Sequence, residues 1–131
     1  MVGLLIITHN QIGTALFETA THMLGMCPLM AEVLPVTNDC DPDAMVRRGR
    51  QLVDELDQGD GVLVLTDMYG STPSNIAARL ADNRQVLVVS GLNLPMLVRV
   101  MNYPALSVSE LAAKAESGGR DGIFYCVPDI E

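Results

Sequence analysis

The chain has 131 residues, about one domain on the usual scale of roughly 150, with 49% hydrophobic and 18% charged residues. That apolar share suffices for one buried core and excludes a disordered chain. Eight Lys and Arg against 16 Asp and Glu give a formal charge of −8, which repels phosphate backbones, so no nucleic-acid partner is expected.

Val2 to Thr8, with its unbroken Leu4-Leu5-Ile6-Ile7, reads as a first strand covered on both faces. A helix is expected from about Ile12 to Met26, with Ile12, Leu16, Ala20, Met23 and Leu24 on one side and Gly25 and Pro28 ending it. Glu32 to Val36 is a short second strand. Asp41 then caps a helix whose first residue is Pro42 and whose apolar stripe is Met45, Val46, Gly49, Leu52, Val53 and Leu56. Gly59-Asp60-Gly61 stops it. Val62 to Thr66 is the third strand, followed by a loop and a helix that opens at Thr72-Pro73 and runs to about Asp82. Val86 to Ser90 is the fourth strand, and Pro95 to Tyr103 a helix with Met96, Leu97, Val100 and Met101 inward. Ser107 and Glu110 have capping-box spacing ahead of a helix over Leu111 to Ser117, which Gly118-Gly119 is expected to stop. Gly122 to Val127 alternates Ile123, Tyr125 and Val127, the pattern of a last strand lying antiparallel at the sheet edge or reaching into a partner.

Strands alternating with helices predict a single-domain α/β fold around a mostly parallel five-stranded sheet, with helices on both faces. Every apolar run falls short of the roughly 18 residues of a membrane span, and Met1 to Ile7 lacks the features of a signal peptide, so a cytoplasmic location is expected. Cys27, Cys40 and Cys126 are odd in number and far apart, which fits reduced thiols better than disulfides or a metal site, and no metal or cofactor is expected. Arg47, Arg48 and Arg50 read as a solvated helix face, and His22 as a half-exposed helix residue.

Chemistry in an open parallel sheet sits beyond the carboxyl ends of the strands, where the strand order reverses. In the order 2-1-3-4-5, strands 1 and 3 are neighbours, so the loops that begin at His9 and Asp67 would face each other. A carboxylate bonded to one imidazole nitrogen fixes the tautomer and leaves the other nitrogen as a nucleophile, which makes His9 the attacking residue and Asp67 its orienter. Gly70, Ser71 and Thr72 add a flexible turn, two hydroxyls and the N–H groups of a starting helix, an arrangement suited to an anion. With Asn10 they are the candidate phosphoryl-binding residues. Because a protonated imidazole has no free lone pair, acceptance of a phosphoryl group is expected to fall in mild acid.

Three loop sequences carry a family resemblance: Leu4-Leu5-Ile6-Ile7-Thr8-His9, Thr66-Asp67-Met68-Tyr69-Gly70-Ser71-Thr72-Pro73-Ser74-Asn75 and Ser90-Gly91-Leu92-Asn93-Leu94-Pro95-Met96-Leu97. In order and spacing they resemble the signature loops of the IIA component of mannose-family phosphoenolpyruvate-dependent sugar phosphotransferase systems. The resemblance implies strand order 2-1-3-4-5, a homodimer that exchanges the final strand, and a phosphohistidine at His9 with Asp67 as its orienting carboxylate. It implies a relay that accepts phosphate from the histidine-containing phosphocarrier protein and either passes it to a IIB component or uses it as a regulatory signal, with peripheral association with a membrane permease. The family often has Gly-Gly-Ser-Pro where this chain has Gly70-Ser71-Thr72-Pro73, which reduces backbone freedom at Ser71. With its end at Glu131, the sequence is expected to be one IIA domain over 1–131, with any IIB component on a separate chain.

Three alternatives stand beside this reading. A receiver domain would use Asp67 as phosphoacceptor, but it needs an acidic pair after strand 1 and a lysine near the last strand, whereas Lys114 lies in a helix. A phosphoryl donor subunit for a dihydroxyacetone kinase has a similar fold and strand-1 histidine. A non-catalytic flavodoxin-like binding or regulatory module would use the same crevice, although the chain has no G-x-G-x-x-G after strand 1.

Overall fold

A computed structural model describes residues 1–82 and 85–128 of the chain. The first apolar run is β1 (Gly3–His9), followed by α1 (Ile12–Leu24), β2 (Ala31–Val36), α2 (Pro42–Leu56), β3 (Val62–Thr66), α3 (Thr72–Leu80), β4 (Val86–Ser90), α4 (Leu94–Met101) and α5 (Val108–Asp121). The strands form one parallel sheet in the order β2-β1-β3-β4. Ile6 pairs with Val33 on one side and Leu65 on the other, and Thr66 with Ser90, so the carboxyl ends of β1, β3 and β4 lie side by side.

Two apolar layers flank the sheet. Leu4, Ile6, Leu63 and Leu65 pack with Ala20 of α1, Leu97 and Val100 of α4, and Leu111 and Ala115 of α5. The alternate residues Leu5, Ile7, Val62 and Val64 pack with Leu52 and Leu56 of α2 and with Ile76 and Leu80 of α3. This two-sided burial explains why β1 and β3 read as continuous apolar runs rather than alternating ones. Burying one such Leu or Ile side chain is worth roughly 1.5–3 kcal/mol. Pro35 sits in β2, an edge strand, where a residue without an N–H is tolerated.

The helix starts follow the sequence closely. Asp41 accepts a hydrogen bond from the Asp43 N–H ahead of Pro42, and both halves of the Ser107–Glu110 capping box are formed. α1 differs in its buried face. Ile12 and Met23, expected inward, are exposed, while Gly13 and Ala20 are buried and Leu16 and Phe17 pack partly against the core. The cause is close approach at Gly13, where a Cβ would lie 2.8 Å from both the Ile6 Cγ2 and the Thr8 Oγ1.

Gly118-Gly119 do not stop α5, which continues to Asp121. Both glycines are buried against α4, where a Cβ on Gly118 would come within 2.8 Å of the Arg99 Cβ and one on Gly119 within 2.9 Å of the Met96 Cε. They are there to let two helices touch.

The expected fifth strand does not form: the described sheet has four strands, and residues 122–127 carry no strand structure. Ile123, Phe124, Tyr125 and Val127 are 74%, 78%, 91% and 70% exposed. A strand needs a neighbour to take its backbone hydrogen bonds, and among the described residues this segment pairs with none. Glu131 lies outside the described residues. Among the described residues, no helix is long and apolar enough to cross a membrane. The three cysteines are free thiols. Arg47, Arg48 and Arg50 are exposed on α2, with Arg50 bonded to Asp82 at 2.6 Å and to the Arg79 carbonyl, and His22 is exposed.

Candidate functional site

β1 and β3 are hydrogen-bonded neighbours, so the residues that end them meet at one lip of the sheet. His9 is the last residue of β1, and Asp67 follows directly on β3. The His9 Nδ1 lies 2.8 Å from the Asp67 Oδ2, and the same oxygen accepts the His9 backbone N–H at 3.0 Å. A carboxylate only accepts, so Nδ1 carries a proton, and in the neutral ring the lone pair is then on Nε2. The side chains are 33% and 11% exposed, so the imidazole reaches solvent while the carboxylate is largely covered. The Asp67 Oδ1 is buried and has no hydrogen-bond partner among the described residues.

Asn10 turns the chain from β1 towards α1 with φ of 47°, the left-handed region that Asn tolerates better than most residues, and its N–H donates to the Val36 carbonyl at 2.9 Å. Its exposed backbone position, rather than any described side-chain hydrogen bond, is what ties it to the site. The Thr8 hydroxyl, just before His9, is fully buried; it accepts the Gly13 N–H at 2.7 Å and donates towards the His9 carbonyl at 3.4 Å.

Beyond Asp67 the chain makes a tight turn in which the Ser71 N–H donates to the Met68 carbonyl at 3.3 Å. Gly70 supplies the φ of +82° at the third position of that turn, a conformation that favours glycine. Ser71 is the N-cap of α3, but its hydroxyl donates back to the Met68 carbonyl, so its proton closes the turn. Thr72 is exposed, and the first turn of α3 contains no acidic residue. The early N–H groups of a helix have no intrahelical acceptor, so this end favours negative charge.

Behind the turn, the buried Thr66 hydroxyl bonds the Ser90 hydroxyl at 2.8 Å, and the Ser74 and Ser90 hydroxyls lie 3.5 Å apart. The Leu92 N–H donates to the Thr66 carbonyl at 2.9 Å, and Asn93 caps α4 by accepting the Met96 N–H while donating to the Gly119 carbonyl. The expected pair His9 and Asp67 is thus brought into direct contact, and the third loop braces the second. Sequence reasoning gave no role to Thr8, Thr66, Ser74 or Ser90. The available signal was a threonine ending each of two otherwise apolar strands, one residue before His9 and before Asp67.

A groove of about 750 Å³ lies beside β4, lined in part by Val88, Val89, Ser90, Met96, Ala112 and Ile123; neither His9 nor Asp67 lines it. His9 therefore lies outside this groove, with its side chain 33% exposed. Such a position suits a group exchanged between proteins, because phosphoryl transfer depends on in-line access and charge stabilisation more than on enclosure. Among the described residues no cluster of His, Cys, Asp and Glu could hold a metal ion.

Residues 3–116 match the family described as EIIA-man, PTS system fructose IIA component. The chain is 30% identical over 125 residues to the PTS system mannose-specific EIIAB component of Escherichia coli strain K12, covering 93% of this chain and 38% of that protein. This chain thus spans little more than a third of that relative's length. It is 26% identical to the PTS system fructose-specific EIIA component of Bacillus subtilis strain 168, over 100% of this chain and 90% of the relative. In fold it is similar to the mannose/sorbose-specific IIA subunit from Enterococcus faecalis, with a TM-score of 0.87 at 24% identity over 99% of this chain and 98% of the other.

Proposed function

The chain belongs to the EIIA-man family, the mannose-type IIA components that act as phosphoryl relays in sugar phosphotransferase systems, and on that premise we propose that His9 is its phosphoacceptor. The observation that carries this reading is the 2.8 Å contact between the His9 Nδ1 and the Asp67 Oδ2, on a side chain that remains solvent-accessible. The donor is the histidine-containing phosphocarrier protein. The Nε2 lone pair of neutral His9 forms a bond to phosphorus in line as the donor's N–P bond breaks, and that electron pair returns to the donor imidazole. His9 becomes a positively charged phosphoimidazolium, and the Asp67 carboxylate on Nδ1 offsets the charge. Thr72, Asn10, the Gly70 turn and the start of α3 receive the phosphoryl oxygens; Ser71 joins them by rotating its hydroxyl away from the Met68 carbonyl.

The group then passes to a IIB component, or its presence serves as a regulatory signal, in the cytoplasm and beside a membrane permease. The domain spans residues 1–131 and works without cofactor. Two copies form a homodimer in which the apolar tail after Asp121 lies in the groove beside β4 of the other copy. The exposed Ile123, Phe124, Tyr125 and Val127 and the place of β4 at the edge of the described sheet support that arrangement.

Intact-mass analysis after incubation with phosphoenolpyruvate, the general phosphotransferase enzyme and the phosphocarrier protein tests the relay. One acid-labile, alkali-stable phosphoryl group is expected in the natural chain and none in His9→Ala. An unmodified chain beside a demonstrably phosphorylated carrier would overturn the reading.

A further inference from the structure

Among the described residues, the buried polar side chains are Thr8, Thr66, Ser71 and Ser74, all at the carboxyl ends of β1 and β3 or the start of α3. Thr8 is the one on the His9 side. A hydroxyl at a position fully removed from water costs free energy unless it is bonded, and Val would fill the same space on a strand that is otherwise apolar. The structural use of this hydroxyl is visible in its two contacts. It accepts the Gly13 N–H at 2.7 Å and reaches the His9 carbonyl at 3.4 Å.

Gly13 is the second residue of α1, where an N-cap side chain would ordinarily accept the N–H. The N-cap residue Gln11 makes no such bond, and its ψ of 10° departs from the extended conformation typical of a capping residue. Thr8 therefore caps the helix from across the loop, closing residues 8–13 into a ring that contains His9. The other ties on that ring are the His9 N–H to Asp67 and the Asn10 N–H to Val36. We propose that Thr8 is a positioning residue for phosphoryl transfer: its hydroxyl, by latching Gly13, holds the His9 backbone where the ring meets Asp67 with Nε2 facing outward. Without the latch the start of α1 swings away from β1, the contact between Nδ1 and Oδ2 loosens, and His9 samples the other tautomer and other orientations. This proposal rests on His9 being the phosphoacceptor.

The test compares Thr8→Val and Thr8→Ser with the natural full-length chain, using two readouts. The first is the ¹⁵N signature of the His9 ring in the unphosphorylated protein, which requires no transfer. The second is the rate of phosphoryl acceptance from the phosphorylated carrier. Thr8→Val is expected to give a mixed-tautomer ring signature and acceptance slower by about tenfold or more, since small misplacements of a reacting group carry penalties of that order. Thr8→Ser restores both. If Thr8→Val does not fold, Thr8→Cys, which keeps the volume but offers only a weak acceptor, takes its place with a smaller change in the same direction. A natural ring signature and rate in the Val or Cys chain would overturn the latch; so would equal slowing in Val and Ser, because Ser keeps the hydroxyl that the latch depends on. A natural chain that takes no phosphoryl group would instead refute the relay, while the ring signature would still decide whether Thr8 holds His9.

Discussion

Two segments leave the ends of regular elements in this chain, residues 9–13 after β1 and residues 122–127 after α5, and they are held in opposite ways. The first is tied at almost every step: His9 to Asp67, Asn10 to Val36, Gly13 to Thr8. In the second, past Ile123, the hydrogen bond among the described residues runs from the Cys126 thiol to the Phe124 carbonyl at 3.9 Å, while four large apolar side chains face water. The first segment completes its hydrogen bonding within one chain, so its geometry can serve chemistry directly. In the second, water can take the exposed backbone groups, and the apolar side chains would gain burial against another surface.

The sharpest way to break the comparison is at the chemistry. His9→Ala is expected to abolish phosphoryl acceptance in a rapid-quench assay, and Asp67→Ala to slow it by about 100-fold, the order found when a preorganised electrostatic partner is removed. An unchanged rate in Asp67→Ala would take away the orienting role. Stability separates the two segments next. Ile6→Ala, under the first segment, should lower the unfolding free energy by about 3–4 kcal/mol, whereas Tyr125→Ala, measured by urea titration at a concentration where the chain is monomeric, should change it by less than about 0.5 kcal/mol. A large loss in Tyr125→Ala would mean the tail packs on its own chain.

Removing the residues after Asp121 is expected to convert a dimer to a monomer in sedimentation velocity while leaving the monomer's unfolding midpoint unchanged. A truncated chain that still dimerises would assign the interface elsewhere.

A modest effect lies at the other end of the helix that leads into the tail. Ser107→Ala removes the side-chain half of the capping box, the bond from the Glu110 N–H, and should cost about 1 kcal/mol. The hydrogen bonds from the Ser107 backbone and side chain hold the Glu110 carboxyl below its ordinary 4.5. A depressed carboxyl contributes stability that is complete above 4.5 and is lost as pH falls through its lowered value. Urea midpoints taken from pH 7 downward should therefore converge between the natural chain and Glu110→Gln at acid pH; a constant gap would mean that the Glu110 charge adds nothing.

Much of the site was legible because its residues announce themselves locally. His9 and Asp67 each end an apolar strand, where a polar side chain has no packing use, and Gly70 and the Thr72-Pro73 helix start follow at once. The cap at Asp41, the Ser107–Glu110 box and the inward face of α4 were equally local and formed as expected. Gly118-Gly119 misled because a glycine pair looks the same whether it ends a helix or admits a neighbour; the difference is α4, whose Arg99 and Met96 lie against them. Ile12 and Met23 misled for a related reason, since periodicity gives the stripe but the contact of Gly13 with β1 sets its rotation.

By itself, then, the sequence determined the alternation of strands and helices, their capped starts and the residue types at the strand ends, because these depend on side chains a few positions apart. Tertiary structure alone decided that one Asp67 oxygen takes both His9 hydrogen bonds, that Thr8 rather than Gln11 caps α1, and that the segment after α5 finds no place in the sheet. Each of these depends on where a second, distant backbone lies, and an unpaired hydrogen bond or an exposed apolar side chain is defined only once that neighbour is in place or missing.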